Sequence, residues 1–463
     1  MAELDLIIRG GQLATSSTTV IADIGIRDGL VVQIGGELAG RQELDATGLL
    51  VLPGGVDAHV HLSVSPDDAN EEPRWVDDFT SGSAAALAGG ITTIGNMTFP
   101  ATGETPLAAL EREAAVVCRQ AIADVFLHPV LLETTQAVLD EIPRLRGAGY
   151  NSIKIFTAFP GFDAQVRGFV EAIRCAGASG LISLIHCEDD ALIADATAHL
   201  TQQRQASLQH YAASRPVVAE VVATQRAVAI AEATGAPVYI VHLSSARALD
   251  VCVAAQARGL PVYVETRPLY LHLTHERLEQ DDGPKYVGQP PLREQHDLDA
   301  LWAGLRQGVI HTVCTDHAPW SLAAKLDPAL SIANLRPGVE NLQTMIPMLY
   351  SEGVRRGRIS LNKLVEVTST NAAKLFGLYP RKGTIAVGSD ADLVLFDPNL
   401  TRTVESSMIK SRAGYSVYEG WQVTGWPILT LRRGEVVFEK DTVTGQPGSG
   451  TLLKRGATSG LSL

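Results

Sequence analysis

Four histidines, one lysine and one aspartate carry the chemistry legible in this sequence. His59 and His61 stand two residues apart in Asp57-Ala58-His59-Val60-His61. Residues i and i+2 of an extended chain face the same side, so both imidazoles can aim at one point. That is how a strand offers two nitrogen ligands to a metal. His186 follows the apolar run Leu181 to Ile185, His242 follows Val238 to Val241, and Asp316 follows Thr312 to Thr315. Any one of these alone reads as a hydrogen-bonded core residue. All of them together at strand ends point to a metal centre.

Lys154 is the odd member. It stands between Ile153 and Ile155 in an apolar strand. Such a lysine is either paired or desolvated, and desolvation lowers its pKa. A neutral amine is a nucleophile. It can add carbon dioxide and become a carbamate, an anionic ligand able to bridge two metals. Four neutral imidazoles leave two divalent ions under-neutralised, and a carbamate with Asp316 would correct that. Schiff-base chemistry and a snorkelling surface lysine are the competing readings; the histidine set favours the carbamate.

The chain has 463 residues, beyond the roughly 250–300 at which single cores stop growing. One large domain and one smaller one are expected. A net charge of -13 and the lack of a basic cluster argue against a nucleic-acid partner. No apolar run reaches the roughly 18 residues a bilayer span needs, so no membrane association is expected. The start, Met1-Ala2-Glu3-Leu4-Asp5, has no signal-peptide pattern. Five widely spaced cysteines fit reduced thiols in a cytoplasmic protein.

Residues 1–52 read as short β segments separated by glycine turns, including a hairpin across Asp28-Gly29. From Pro53 to about residue 379 helices alternate with apolar, β-branched strands. Helices are expected from Trp75 to Gly89 and near 105–120, 134–147, 164–178, 216–235, 246–258 and 297–307. Roughly eight strand segments between 56 and 316 suit a closed (β/α)8 TIM barrel, an α/β fold. An open doubly wound sheet is the runner-up, without a G-x-G-x-x-G to support it. Residues 380–463 return to β, with a strand from Asp392 to Phe396 ended by Asp397-Pro398 and a hairpin across Arg432-Arg433-Gly434. Both chain ends are expected to pair into one discontinuous β-sandwich. The Gly- and Ser-rich tail from Gly445 reads as an arm, flexible unless a neighbouring subunit holds it.

The residues also carry a resemblance. Pro53-Gly54-Gly55-Val56-Asp57-Ala58-His59-Val60-His61, Lys154-Ile155-Phe156, His186-Cys187-Glu188, Val241-His242-Leu243-Ser244, Pro290-Pro291-Leu292-Arg293, Thr315-Asp316-His317, Pro337-Gly338-Val339-Glu340 and the run from Asn371 to Pro380 resemble the cyclic amidohydrolases. Within these, the chain looks like the dihydropyrimidinase/D-hydantoinase branch. The resemblance implies two divalent metals, usually zinc, bridged by a carboxylated Lys154. His59, His61 and Asp316 would hold one, and His186 and His242 the other. It implies hydrolysis of a small cyclic amide, a hydantoin or dihydropyrimidine ring. A metal-bridging hydroxide would attack, with Asp316 as general base and then acid. It also implies a homotetramer or homodimer.

Two positions depart from that pattern. Phe159 stands where hydantoinases usually have an oxyanion-stabilising tyrosine, and Gln289 stands where they have a serine. Asn334 matches a substrate-contacting asparagine. Allantoinase is the nearest rival activity. A non-catalytic scaffold is the distant one, disfavoured because all six ligand-type residues are kept. Dihydroorotase is disfavoured by Ser63, where an arginine would be expected. Met97, Phe99, Phe162 and Trp320 are candidates for an apolar surface favouring hydantoins with bulky 5-substituents.

Overall fold

Eight strands in chain order form a ring in the computed structural model, which describes residues 3–63, 75–159 and 161–457. They are Gly55–Val60, Ile91–Thr98, Asp124–Pro129, Ser152–Phe156, Ile182–His186, Val238–Ile240, Val262–Thr266 and Thr312–Val313. The first three pair in parallel, as do the last five. Parallel bridges Val130↔Lys154 and Val60↔His317 join the two groups at both seams. Each strand therefore neighbours its successor, and the architecture is the (β/α)8 barrel. Ile91–Thr98 is buried at every position, as expected where helices cover one face of a parallel sheet and side chains fill the other.

Local chemistry starts and stops the helices near the expected places. Thr105 caps Pro106–Gln120, with proline in the first turn. The helix expected from Trp75 begins instead at Phe79. Asp78 is its cap, in a reciprocal box with Ser81. Asp77 is directed elsewhere, to His317 and Ser411.

Two further sheets share a second core. One has four strands: Leu30–Ile34, Ile24–Arg27, Leu4–Arg9 and Gly40–Asp45. The other has seven and joins both chain ends, because Leu50–Pro53 pairs antiparallel with Leu393–Thr403. Ile8, Ile24 and Val31 of the first pack with Val51, Leu393 and Leu431 of the second.

Two expectations need correction. The strand read as ending at Asp397-Pro398 runs on to Thr403. Proline cannot donate to the ladder, and the register shift between Asp397 and Thr401 absorbs it. The tail does not await a neighbouring subunit, because its own barrel holds it through residue 456. Val125 N–H donates to Thr451 O at 2.9 Å, and Leu453 N–H donates to Val125 O at 2.7 Å. The buried Arg455 donates to Leu127 O and Ser152 Oγ. Residues beyond 457 lie outside the described part. Among the described residues no helix is long and apolar enough to cross a membrane.

Candidate metal centre

Five of the six residues singled out in sequence line one cavity at the carboxyl ends of the barrel strands, and Lys154 lies inside the strand Ser152–Phe156. His59 lies on Gly55–Val60, and His61 follows one residue after its end. His186 closes Ile182–His186. His242 and Asp316 lie just past two short strands, Val238–Ile240 and Thr312–Val313, with φ of +40° and +48°. These left-handed turns shorten both strands relative to the sequence reading. Backbone strain of this kind gathers at functional sites.

Asp316 Oδ1 lies 2.9 Å from His61 Nε2 and 3.2 Å from His59 Nε2. His186 Nδ1 and His242 Nε2 face each other at 2.9 Å. The outer nitrogens are fixed by carboxylates. His59 Nδ1 donates to Glu265 Oε1 at 2.8 Å, and His186 Nε2 donates to Glu188 Oε2 at 2.9 Å. Each partner sets the tautomer, so that the lone pairs fall on His59 Nε2 and on His186 Nδ1, the nitrogen facing His242. Arg215 Nε in turn donates to Glu188 Oε1 at 2.9 Å.

Electrostatics keep these groups ready to ligate. Burial pushes the imidazoles toward neutrality, His61 down to about 4 and His186 and His242 also downward. Burial opposes ionisation of Asp316, but the Arg267 guanidinium, with His59 and His61, outweighs it and holds the carboxylate well below its usual range. Lys154 is fully buried, and among the described residues its Nζ has no hydrogen-bond partner. Desolvation brings its pKa down to about 8.

A cavity of about 370 Å³ opens over these groups. Trp75, Phe99, Leu132, Phe156 and Phe159 form its apolar side; Arg215, Gln289 and Gly338 complete the wall. Gly338, at φ +120°, is required there: a Cβ would lie 2.2 Å from Ala318 O.

Residues 50–437 match the amidohydrolase family. The chain belongs to the amidohydrolase family. It is 36% identical to a D-hydantoinase of Ralstonia pickettii over 98% of this chain and 99% of that one. A D-phenylhydantoinase of Escherichia coli O1:K1 / APEC is 36% identical over 97% and 98%. A crystal structure of a D-hydantoinase superposes with a TM-score of 0.93 at 35% identity, covering 98% of this chain and 99% of that one.

This amidohydrolase offers donors that fit a divalent metal. The ligand atoms of His59, His61 and Asp316 lie within 4.8 Å of one another. Among the described residues His59 Nε2 and Lys154 Nζ are buried without hydrogen-bond partners, a costly arrangement unless an ion or a modification satisfies them. A second acidic group, Asp124, Asp390 and Asp392, has similar spacing but a different role. Lys382 Nζ lies 2.6, 2.9 and 2.7 Å from these three, and Arg433 and Arg381 pair with Asp124 and Asp390, so side-chain cations already serve this group.

Of the substrate-contact candidates, Phe159 and Gln289 line the cavity. Asn334 does not: it is exposed, in a turn paired with Ser331. Phe99 is on the cavity wall, whereas Met97 is buried in the barrel interior and Phe162 stacks on Phe169. Trp320 is not on the wall either; its Nε1 donates to Pro337 O. Glu265, Glu188, Arg215 and Arg267 were not singled out in sequence. Glu265 could have been, because it too lies near the end of a barrel strand, Val262–Thr266.

Proposed function

We propose that this amidohydrolase opens the ring of a hydantoin or dihydropyrimidine, with two divalent ions, zinc by the chemistry of the donors, held on a carboxylated Lys154. The observation that carries the reading is Lys154 itself. It is a fully buried amine without a hydrogen-bond partner among the described residues, electrostatically coupled to His61, His186 and His242. Conversion to a carbamate replaces a desolvated amine with an anion beside these imidazoles. His59, His61 and Asp316 would hold one ion and His186 and His242 the other. When bound, the pair supplies a water activated at neutral pH and a Lewis acid for the ring carbonyl.

The protein's own groups supply the rest. Asp316 accepts a proton from the attacking water as the oxygen bonds to the ring carbonyl carbon. It returns the proton to the ring nitrogen as the C–N bond breaks. Glu265 and Glu188 hold His59 and His186 in their ligating tautomers. Phe159 cannot donate a hydrogen bond to the developing oxyanion, so that charge falls to other groups. The aromatic wall of Trp75, Phe99, Phe156 and Phe159 suits a bulky 5-substituent. The D-phenylhydantoinase relative supports the same preference. Allantoin, small and polar, suits this wall poorly. Assembly into a homotetramer or homodimer in the cytoplasm completes the proposal.

A substrate panel tests it. Zinc-loaded enzyme is expected to show a higher kcat/KM for 5-phenylhydantoin than for dihydrouracil or allantoin. A clear preference for allantoin, or no hydrolysis of any of the three, would refute the reading.

A further inference from the structure

Arg267 follows the strand Val262–Thr266 at the barrel mouth and is fully buried. Its guanidinium engages one short stretch three times. Nε donates to Thr315 O at 3.0 Å, Nη2 donates to Asp316 O at 3.4 Å, and Nη1 lies 3.1 Å from Asp316 Oδ2. Asn341 Nδ2 also donates to Thr315 O, at 3.1 Å. The backbone gripped in this way is the unfavourable one, with Asp316 at φ +48°. A non-glycine residue stays in that region only where its surroundings determine it.

The two oxygens of Asp316 therefore have different neighbours. Oδ1 faces His61 and His59, and Oδ2 faces the guanidinium. Arg267 has little room to swing aside. The Tyr270 ring lies 5.5 Å from it, and even a Cβ on Gly288 would sit 3.0 Å from Nη1. A planar fork can hold two carbonyls and a carboxylate oxygen at once, which a lysine ammonium cannot do with the same geometry.

We propose that Arg267 is a positioning residue for Asp316: it fixes the strained turn and the carboxylate plane so that only Oδ1 is presented to an ion held by His59 and His61. The inference rests on reading Asp316 as a metal ligand. Arg267 acts through Asp316 and does not touch the substrate cavity. Its loss would free the carboxylate to turn and blur the ligand geometry, while the aromatic wall that binds the ring stays in place.

Zinc affinity, measured by chelator competition, tests this in four proteins: wild type, Arg267→Met, Asp316→Asn and the double variant. Arg267→Met is expected to weaken zinc binding by about 10–100-fold, the usual scale for a residue that orients a ligand. In the Asp316→Asn background the same change is expected to add no further loss. Turnover should fall in kcat with KM nearly unchanged, and Arg267→Lys should recover part of both kcat and zinc affinity. If Arg267→Met does not fold, Arg267→Lys takes its place in the cycle, with a smaller loss expected only when Asp316 is present. Wild-type zinc affinity in the Arg267 variant, or an equal loss in both backgrounds, would overturn the inference. Undiminished zinc affinity in Asp316→Asn would instead overturn Asp316 as a ligand, a different failure.

Discussion

Glu265 Oε1 lies 2.8 Å from His59 Nδ1 and accepts the backbone N–H of His242 at 2.8 Å. One carboxylate oxygen thus ties together the two histidine groups that would hold different ions. Glu265→Gln keeps the shape and removes the charge. It is expected to lower metal affinity and kcat by about 10–100-fold, the range seen when an outer-shell carboxylate is lost. Chelator competition and steady-state kinetics check this; unchanged affinity would remove Glu265 from the account.

Phe159 lines the cavity and has no hydroxyl. Phe159→Tyr would supply a donor for the oxyanion, and one such donor is worth roughly 2.7–4 kcal/mol where nothing replaces it. The variant is expected to raise kcat on dihydrouracil by at least about tenfold, or 1.4 kcal/mol, with a smaller gain on 5-phenylhydantoin. No change on either substrate would reduce position 159 to packing.

Much of this site was legible because barrels place function at strand ends and because histidine, lysine and aspartate are rare in apolar runs. His59, His61, His186, His242 and Asp316 stood out on that rule, and the structure brings these five to one cavity; Lys154 stood out as a lysine inside an apolar strand and is fully buried. The supporting shell was hidden for a physical reason. Glu188 and Arg215 meet across 27 residues, and Arg267 reaches Asp316 across 49. Nothing in local spacing marks those encounters. The aromatic wall was read only in part, because Met97 packs in the barrel interior and Phe162, in a turn, stacks on Phe169 instead of facing the cavity. The tail was misjudged from composition. Its Gly and Ser content says nothing of the carbonyls and amides that Val125 and Gly149 offer it.

Lys382 pairs with Asp124, Asp390 and Asp392 where the barrel meets the seven-stranded sheet. Burial opposes ionisation of Asp124, but Lys382 and Arg433 outweigh it and lower its pKa. Because that pKa is lowered on folding, its stabilisation is present above the ordinary aspartate value, about 4. It is lost as pH falls through the folded value. Burial works against the Lys382 charge, while the three aspartates hold its pKa above the usual lysine range. Its contribution is complete below that range and is lost only as pH rises through the folded value. Lys382→Met is expected to cost about 3–5 kcal/mol at neutral pH, the scale for breaking a buried pair. The deficit should shrink as acid protonates the stranded carboxylates. Denaturant unfolding at neutral and acidic pH measures it; a deficit that does not change with pH would contradict the account.

Arg455 donates from the tail to Leu127 O at 2.6 Å and to Ser152 Oγ at 3.0 Å. Ser152 opens the strand that carries Lys154. Arg455→Ala removes two buried hydrogen bonds and is expected to destabilise the fold by about 1–3 kcal/mol. A shortened chain ending at Gly450 should lose at least as much. Thermal unfolding midpoints equal to wild type in both variants would mean that the tail merely rests on the barrel.

The central claim is that a metal pair held on a carboxylated Lys154 carries the hydrolysis. Metal analysis of zinc-loaded wild type and Lys154→Ala, with the mass of the peptide containing residue 154 measured under conditions that preserve carbamates, tests it most directly. About two ions are expected per wild-type chain, as in binuclear hydrolases. One added carbon dioxide is expected on Lys154, and Lys154→Ala is expected to lose both metal and hydantoin hydrolysis, with partial recovery by a short added carboxylate. Full activity in a metal-free chain with an unmodified Lys154 would contradict it.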